Sequence, residues 1–239
     1  MHTLNQIVFG IYPYVVVAVF LAGSLIRFER EQYTWRSGSS QLLRRNLLVI
    51  GSNFFHVGIL AILAGHVVGL LTPPHIYHAL GLSTSNKQLL AMVAGGAAGL
   101  LCFVGISMLL YRRLADARIR ATSSVMDILI FLLLYVQLCL GLGSILVSMQ
   151  HLDGHEMLKL SGWAQGLVTL QSGAATLISD VHPIFKLHIF LGLTMFLIFP
   201  FSRLVHIWSA PLSYVGRSYQ IVRRRGAKGT KVKAKVGAP

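Results

Sequence analysis

Four histidines lie within two apolar stretches of the sequence. The first stretch, FFHVGILAILAGHVVGL, holds His56 and His66, and the second, FKLHIFLGLTMFLIFPFSRLVHIW, holds His188 and His206. Ionisable groups are costly inside a membrane and usually mark a functional site there. Two neutral imidazoles that face each other can bind both axial positions of a haem iron, and no C-x-x-C-H motif for covalent haem attachment is present. The histidines therefore predict two bis-histidine sites for non-covalent haem b.

The two stretches are expected to cross the membrane in opposite directions. Antiparallel packing then pairs His66 with His188 near the outer face and His56 with His206 near the inner face. On straight helices, His56 and His66 would lie about 15 Å apart, whereas His188 and His206 would lie about 27 Å apart. The heights of the facing histidines therefore do not match. Pro200 removes a helical hydrogen bond and predicts a kink that reconciles them.

The composition shows what positions these side chains. Hydrophobic residues make up 54% of the 239 residues and charged residues only 12%, about half the charged fraction of a soluble domain. A membrane-spanning helix needs about 20 mainly apolar residues. Five such stretches are present, at about 6–26, 46–71, 88–111, 125–149 and 184–208. The sequence therefore predicts an all-α integral membrane bundle of five transmembrane helices.

The net charge of +14 reflects membrane topology rather than binding to nucleic acid. Lys and Arg concentrate in alternate connections, at 27–45, at 112–120 and after 208. By the positive-inside rule, this places the N-terminus outside and the C-terminus in the cytoplasm. We expect a membrane domain over 1–222 and a basic, disordered tail over 223–239 that also touches anionic membrane lipid.

A histidine-dependent proton or metal transporter is the chemical alternative to haem. A proton relay would need carboxylates within the spans, and Asp127 is the only one placed there. No inverted repeat supports a transporter. Lys87 is the only Lys or Arg in the short outer connection before the third stretch, where a lysine can serve as an interfacial anchor. Gly95 and Gly99 form a G-x-x-x-G spacing that predicts close helix packing.

Longer runs of the sequence resemble a known family, the gamma subunit of the membrane-bound bacterial respiratory nitrate reductase. These runs are IYPYVVVAVFLAGSLIRFEREQYTWRSGSSQ, SNFFHVGILAILAGHVVGLLTP, KQLLAMVAGGAAGLLC, QHLDGHEMLKLSGWAQ and FPFSRLVHIWSAP. The resemblance covers about residues 8–223, and the Lys-rich tail departs from it. It implies a five-helix dihaem cytochrome b of the bacterial cytoplasmic (inner) membrane.

The resemblance also implies a reaction and partners. The family oxidises quinol, menaquinol or ubiquinol, near the periplasmic face. Electrons pass through a distal and a proximal haem to an iron–sulfur beta subunit, and then to a molybdenum-containing alpha subunit that reduces nitrate. By position, His66 and His188 match the distal ligands, and His56 and His206 match the proximal ones. Related cytochrome b subunits that serve another quinol-linked reductase are the remaining alternative within this chemistry.

Further residues acquire roles through the same resemblance. It places Lys87 at the quinol pocket, where a cation favours loss of a quinol proton. Gly65, beside His66, would let the quinol ring approach the distal haem. On the inner side, Arg36, Arg112 and Arg113 could pair with the propionates of the proximal haem; ordinary positive-inside charge explains each of them equally well.

Overall fold

The computed structural model describes residues 2–31 and 43–208. Arg36 and the tail at 223–239 lie outside the described residues, so their expected roles stay predictions. Within the described ranges the chain is helical and contains no strand. The longer helices are α1 (Thr3–Glu31), α2 (Arg45–Leu71), α3 (Thr84–Ala115), α4 (Val125–Ser148), α5 (His155–Val168) and α6 (Pro183–Ile198). Two short helices, Pro74–Ala79 and Ala117–Ala121, lie in the connections.

Five of these helices, α1 to α4 and α6, are long and apolar enough to cross a membrane. They confirm the predicted fold class. Helix α2 packs on α3, α3 on α4, α4 on α6, and α6 on α1. We call the end with Leu71 and Thr84 the outer end and the end with Arg45 and Ala115 the inner end, following the predicted orientation.

The start of α3 differs from the sequence-based boundary. The Ser83 hydroxyl accepts the N–H of Asn86 at 3.2 Å and caps a helix that begins at Thr84. Such a cap satisfies one of the unpaired N–H groups at a helix start. Lys87 therefore lies in the first turn of α3, and its expected place in the loop before the helix was wrong.

The last span ends earlier than predicted. Helix α6 stops at Ile198, and 3-10 turns follow at Phe199–Phe201 and Arg203–Ile207. Pro200 has no N–H to donate and cannot continue the helix. The predicted departure from a straight helix at Pro200 is confirmed, but it is an end of the α-helix rather than a kink, and a single helix through residue 208 was wrong. His206 lies on the second 3-10 turn, and the 27 Å separation expected for one straight helix does not apply.

Glycines set the close approach of α2 and α3. A Cβ on Gly105 would lie 2.3 Å from the backbone nitrogen of Phe55, and one on Gly58 would lie 2.6 Å from the Cβ of Cys102. No side chain fits at such distances, so each helix needs a glycine where it meets its neighbour. This contact brings α2 closer to α3 than any larger residue would allow.

The predicted G-x-x-x-G contact of α3 is only half present. A Cβ on Gly99 would lie 2.6 Å from the Leu142 side chain of α4, but one on Gly95 would meet nothing within 4 Å. The two glycines do not form one packing face, and that expectation was wrong. The spacing alone could not show which neighbour each glycine meets.

The outer end is closed by α5 and the 3-10 turn Ala174–Ile178. Trp163 of α5 is buried and donates its indole N–H to the carbonyl of Phe9 at 2.9 Å. Phe9 lies in a π-helical turn of α1, Ile7–Ile11. Gln165 donates to the carbonyl of Leu70 at 2.9 Å. These contacts tie α5 to both α1 and the outer end of α2.

Candidate functional site

The four histidines face one another in two pairs, with one ring of each pair on α2; His56 and His66 are exposed, and His188 and His206 are half-buried. The ring centroids of His66 and His188 lie 6.1 Å apart with their planes at 37°. Those of His56 and His206 lie 6.3 Å apart with their planes at 75°. Each ring therefore lies beside the partner that the antiparallel argument gives it. We call the first pair the outer pair and the second the inner pair.

One nitrogen of each imidazole is committed to a backbone carbonyl. A carbonyl oxygen only accepts, so Nδ1 must carry the proton and the lone pair lies on Nε2. A second hydrogen bond of this kind also fixes the orientation of a metal-binding histidine. The carbonyls are those of Ser52 for His56 at 2.7 Å, Ile62 for His66 at 2.8 Å, Gln137 for His188 at 3.2 Å and Arg203 for His206 at 2.6 Å.

The spacing of each pair fits one metal ion. Two metal–imidazole bonds of about 2 Å each separate the nitrogens by about 4 Å, and the remaining distance to the ring centres gives a centroid separation of about 6 Å. Both observed separations agree with this value. Within the part of the chain that the structure describes, no cluster of three or more His, Cys, Asp or Glu side chains could hold a metal. A cofactor that needs only two protein ligands per metal, as haem does, fits both pairs.

The inner pair lies beside a group of charged side chains. Asp127 of α4 is 6% exposed and forms ion pairs with Arg113, at 3.8 Å, and with Arg203. Arg203 is also the residue whose carbonyl accepts the Nδ1 hydrogen of His206. Asp127 therefore connects the start of α4 to the 3-10 turn that carries His206.

Arg112 lies at the same end of the bundle. It is 2% exposed, and its Nη2 donates to the carbonyl of Leu43 at 2.7 Å. This bond holds the inner end of α3 to the segment just before α2. The expected pairing of Arg112 with a haem propionate stays a prediction.

Lys87 is buried at the outer end, 7% exposed. Its ammonium donates to the carbonyl of Thr72 at 3.2 Å and lies 4.2 Å from the ring centre of Tyr77. Thr72 follows the last residue of α2, six positions after His66, so the lysine is tied to the outer end of the helix that carries His66. Gly65 faces open space, with nothing within 4 Å of where its Cβ would be.

Sequence reasoning missed Tyr77, Gln137 and the Arg203 ion pair. Gln137 is a strongly polar side chain within the fourth apolar stretch, and that position alone could have drawn attention to it. Tyr77 gave no such signal, because its contact with Lys87 depends on how the short helix Pro74–Ala79 folds back.

Comparisons with known proteins show which family the chain is similar to. The family model of the nitrate reductase gamma subunit matches residues 5–225. The chain is 53% identical over 225 residues to the respiratory nitrate reductase 1 gamma chain of Escherichia coli (strain K12), covering 94% of this chain and 100% of that protein. It is 38% identical over 221 residues to the nitrate reductase gamma chain of Bacillus subtilis (strain 168), covering 92% and 99%. The resemblance seen in the sequence is confirmed.

Proposed function

Because the chain belongs to the nitrate reductase gamma subunit family, we propose that it is the quinol-oxidising cytochrome b subunit of a respiratory nitrate reductase. The family and the five apolar helices make it a multi-pass inner-membrane protein. The observation that carries the proposal is the presence of two facing histidine pairs whose Nδ1 atoms are all held by carbonyls. This arrangement would offer four Nε2 lone pairs, two to each haem iron.

The two histidine pairs would each hold one haem b. When bound, the haems supply one-electron carriers at two depths of the membrane, and bis-histidine ligation leaves no open position for a substrate. The protein fixes each imidazole by its Nδ1 hydrogen bond, so that little reorganisation of the ligands is needed when the charge of the site changes.

Lys87 supports quinol binding at the outer end. An ammonium group carries three N–H donors, and one of them is given to the carbonyl of Thr72. A further donor can bind a quinol oxygen. A positive charge beside that oxygen stabilises the anion left by loss of the proton and so promotes oxidation. The open side of Gly65 would let the ring approach the outer pair.

Electrons would leave at the inner end to a partner with its own metal clusters. The sequence has only two cysteines, and both lie within apolar helices, so this chain cannot hold an iron–sulfur cluster. The proposed acceptors are the iron–sulfur beta subunit and then the molybdenum-containing alpha subunit, where nitrate is reduced. Moving each electron inward costs roughly 2.3 kcal/mol per 100 mV of membrane potential. Oxidation outside would therefore conserve redox energy as a proton gradient.

The quinol role is tested by Lys87→Ala in the assembled complex. We expect a strong loss of quinol-dependent nitrate reduction with the haem content unchanged, because the substitution removes the cation but no haem ligand. Lys159→Ala is the matched control, since Lys159 is also an outer-end lysine but pairs with the exposed carboxylate of Asp180 at 2.8 Å. Equal activity of the Lys87 variant and the control would refute the role.

A further inference from the structure

We propose that Gln137 and Gly141 of α4 form a notch that orients His188 and thereby sets the reduction potential of the outer haem. We call these two residues the α4 notch. The inference rests on the proposed function, because it concerns a ligand of a proposed haem. It assigns to α4, a helix without a haem ligand, control over one of the two sites.

His188 differs from the other three paired histidines in the carbonyl that accepts its Nδ1 hydrogen. His56, His66 and His206 each bond to a carbonyl three or four residues earlier on their own segment. His188 bonds instead to the Gln137 carbonyl of a different helix, at 3.2 Å. The orientation of this one ligand therefore depends on how α4 and α6 pack.

The side chain of Gln137 adds a second contact to the same histidine. Its amide nitrogen donates to the backbone carbonyl of His188 at 3.1 Å. The amide nitrogen also lies 3.5 Å from the Nε2 lone pair; a haem iron on Nε2 would replace this long contact and leave the bond to the carbonyl. The carbonyl and the side chain of one residue thus hold both the ring and the backbone of the ligand. On the opposite side, a Cβ on Gly192 of α6 would come within 3.0 Å of the same amide nitrogen. The glycine leaves room for the amide between the helices.

Gly141 lies one helical turn after Gln137 and accommodates the imidazole. A Cβ at this position would lie 3.0 Å from Cε1 of His188 and 3.7 Å from each ring nitrogen. The ring therefore packs against the glycine. A methyl group would push the ring away from α4 and so lengthen the Nδ1 hydrogen bond to the Gln137 carbonyl.

This hydrogen bond has a predictable effect on the iron. A carbonyl that accepts from Nδ1 makes the imidazole a more basic ligand. A more basic ligand favours the oxidised iron and lowers the reduction potential. Weakening the bond should therefore raise the potential of the outer haem and leave that of the inner haem unchanged, because the Nδ1 bond of His206 is made by another carbonyl.

The test compares Gly141→Ala with Gly143→Ala in the assembled complex. A Cβ on Gly143 would lie 3.0 Å from Ile184, the same distance, but the atom it meets is the flexible Cδ1 of that side chain. The two variants add the same methyl group to the same helix against α6. Only the first one presses on the ligand ring.

The readouts are redox titrations of each haem and the low-spin electron paramagnetic resonance spectrum. For Gly141→Ala we expect a shifted signal from one haem and an equilibrium constant for its reduction raised by up to about tenfold, which is about 59 mV for a one-electron couple. Gly143→Ala should match the native complex. Identical potentials and signals in the two variants and the native complex would overturn the proposal.

A second variant covers the case in which Gly141→Ala does not assemble. Gln137→Met keeps the side-chain length and removes the amide donor to His188, so one haem should again shift while the other stays native. Native properties of both haems in Gln137→Met would then refute the inference. If the native complex itself contained no haem, the proposed function would fail instead, so the two failures are distinguishable.

Discussion

The hydrogen bond of each Nδ1 decides which nitrogen of that histidine can bind a metal. In all four rings the carbonyl contact leaves the lone pair on Nε2. The two ring separations then match two bonds to one ion. At the scale of single residues, the structure therefore shows which nitrogen of each ring could bind a metal and which ring faces it.

Removing one ligand tests the outer pair. His66→Ala should lower the haem content by one per chain and leave the other haem in place, because the inner pair shares no residue with it. His75→Ala is the control, since that exposed histidine also lies near the outer end but takes no part in either pair. Haem per polypeptide, measured on the purified complex, checks this. Loss of both haems or of neither would contradict the assignment.

The sequence predicted the pairing of these residues well and their surroundings poorly. Antiparallel spans alone place His66 opposite His188, because only the order of the helices and the depth of each residue matter. The contact of the His188 ring with Gly141 could not be predicted, since it depends on which neighbour α6 packs against. Lys87 was expected in a loop, but the cap at Ser83 makes α3 begin about one turn earlier than its apolar stretch.

At the scale of helices, the contact between α2 and α3 depends on glycine. Gly105→Ala would drive a Cβ into the backbone of Phe55, and such overpacking costs about 1–3 kcal/mol. We expect a lower thermal stability of the solubilised complex. Gly95 lies on the same helix, but a Cβ there would meet nothing within 4 Å. Gly95→Ala should therefore be neutral or slightly stabilising, because alanine favours a helix over glycine. Equal melting temperatures of the two variants would contradict the packing argument.

The ion pairs of Asp127 hold the inner end together. Asp127→Ala would leave the charges of Arg113 and Arg203 without their shared carboxylate, and loss of one partner of a buried ion pair costs on the order of 3 kcal/mol. Because Arg203 supports His206, we also expect reduced occupancy of the inner haem. Thermal unfolding together with haem content checks both effects.

Asp180→Ala is the matched control for that experiment. The hydrogen bond from Lys159 lowers the pKa of the Asp180 carboxyl, but the pair is exposed. Exposed ion pairs contribute little to stability, so both haems and the melting temperature should stay native. A loss as large as that of Asp127→Ala would show that charge removal in general, rather than the buried position, causes the effect.

At the scale of the whole molecule, inward electron transfer from quinol requires one orientation of the protein in the membrane. The basic connections predict that the outer end faces the periplasm. In intact cells made permeable only at the outer membrane, a membrane-impermeant thiol reagent should label Leu80→Cys, which is at the outer end and 81% exposed. It should not label Arg118→Cys at the inner end. The reverse pattern would contradict both the orientation and the direction of electron flow.

The central claim is that one chain holds two haems between four histidines. The measurement that tests it most directly is the dithionite-reduced minus oxidised optical spectrum of the purified complex, with haem quantified per gamma chain. We expect two non-covalent b-type haems per chain with distinguishable reduction potentials. A complex with its partner subunits present but without b-type haem, or with a single one, would contradict it.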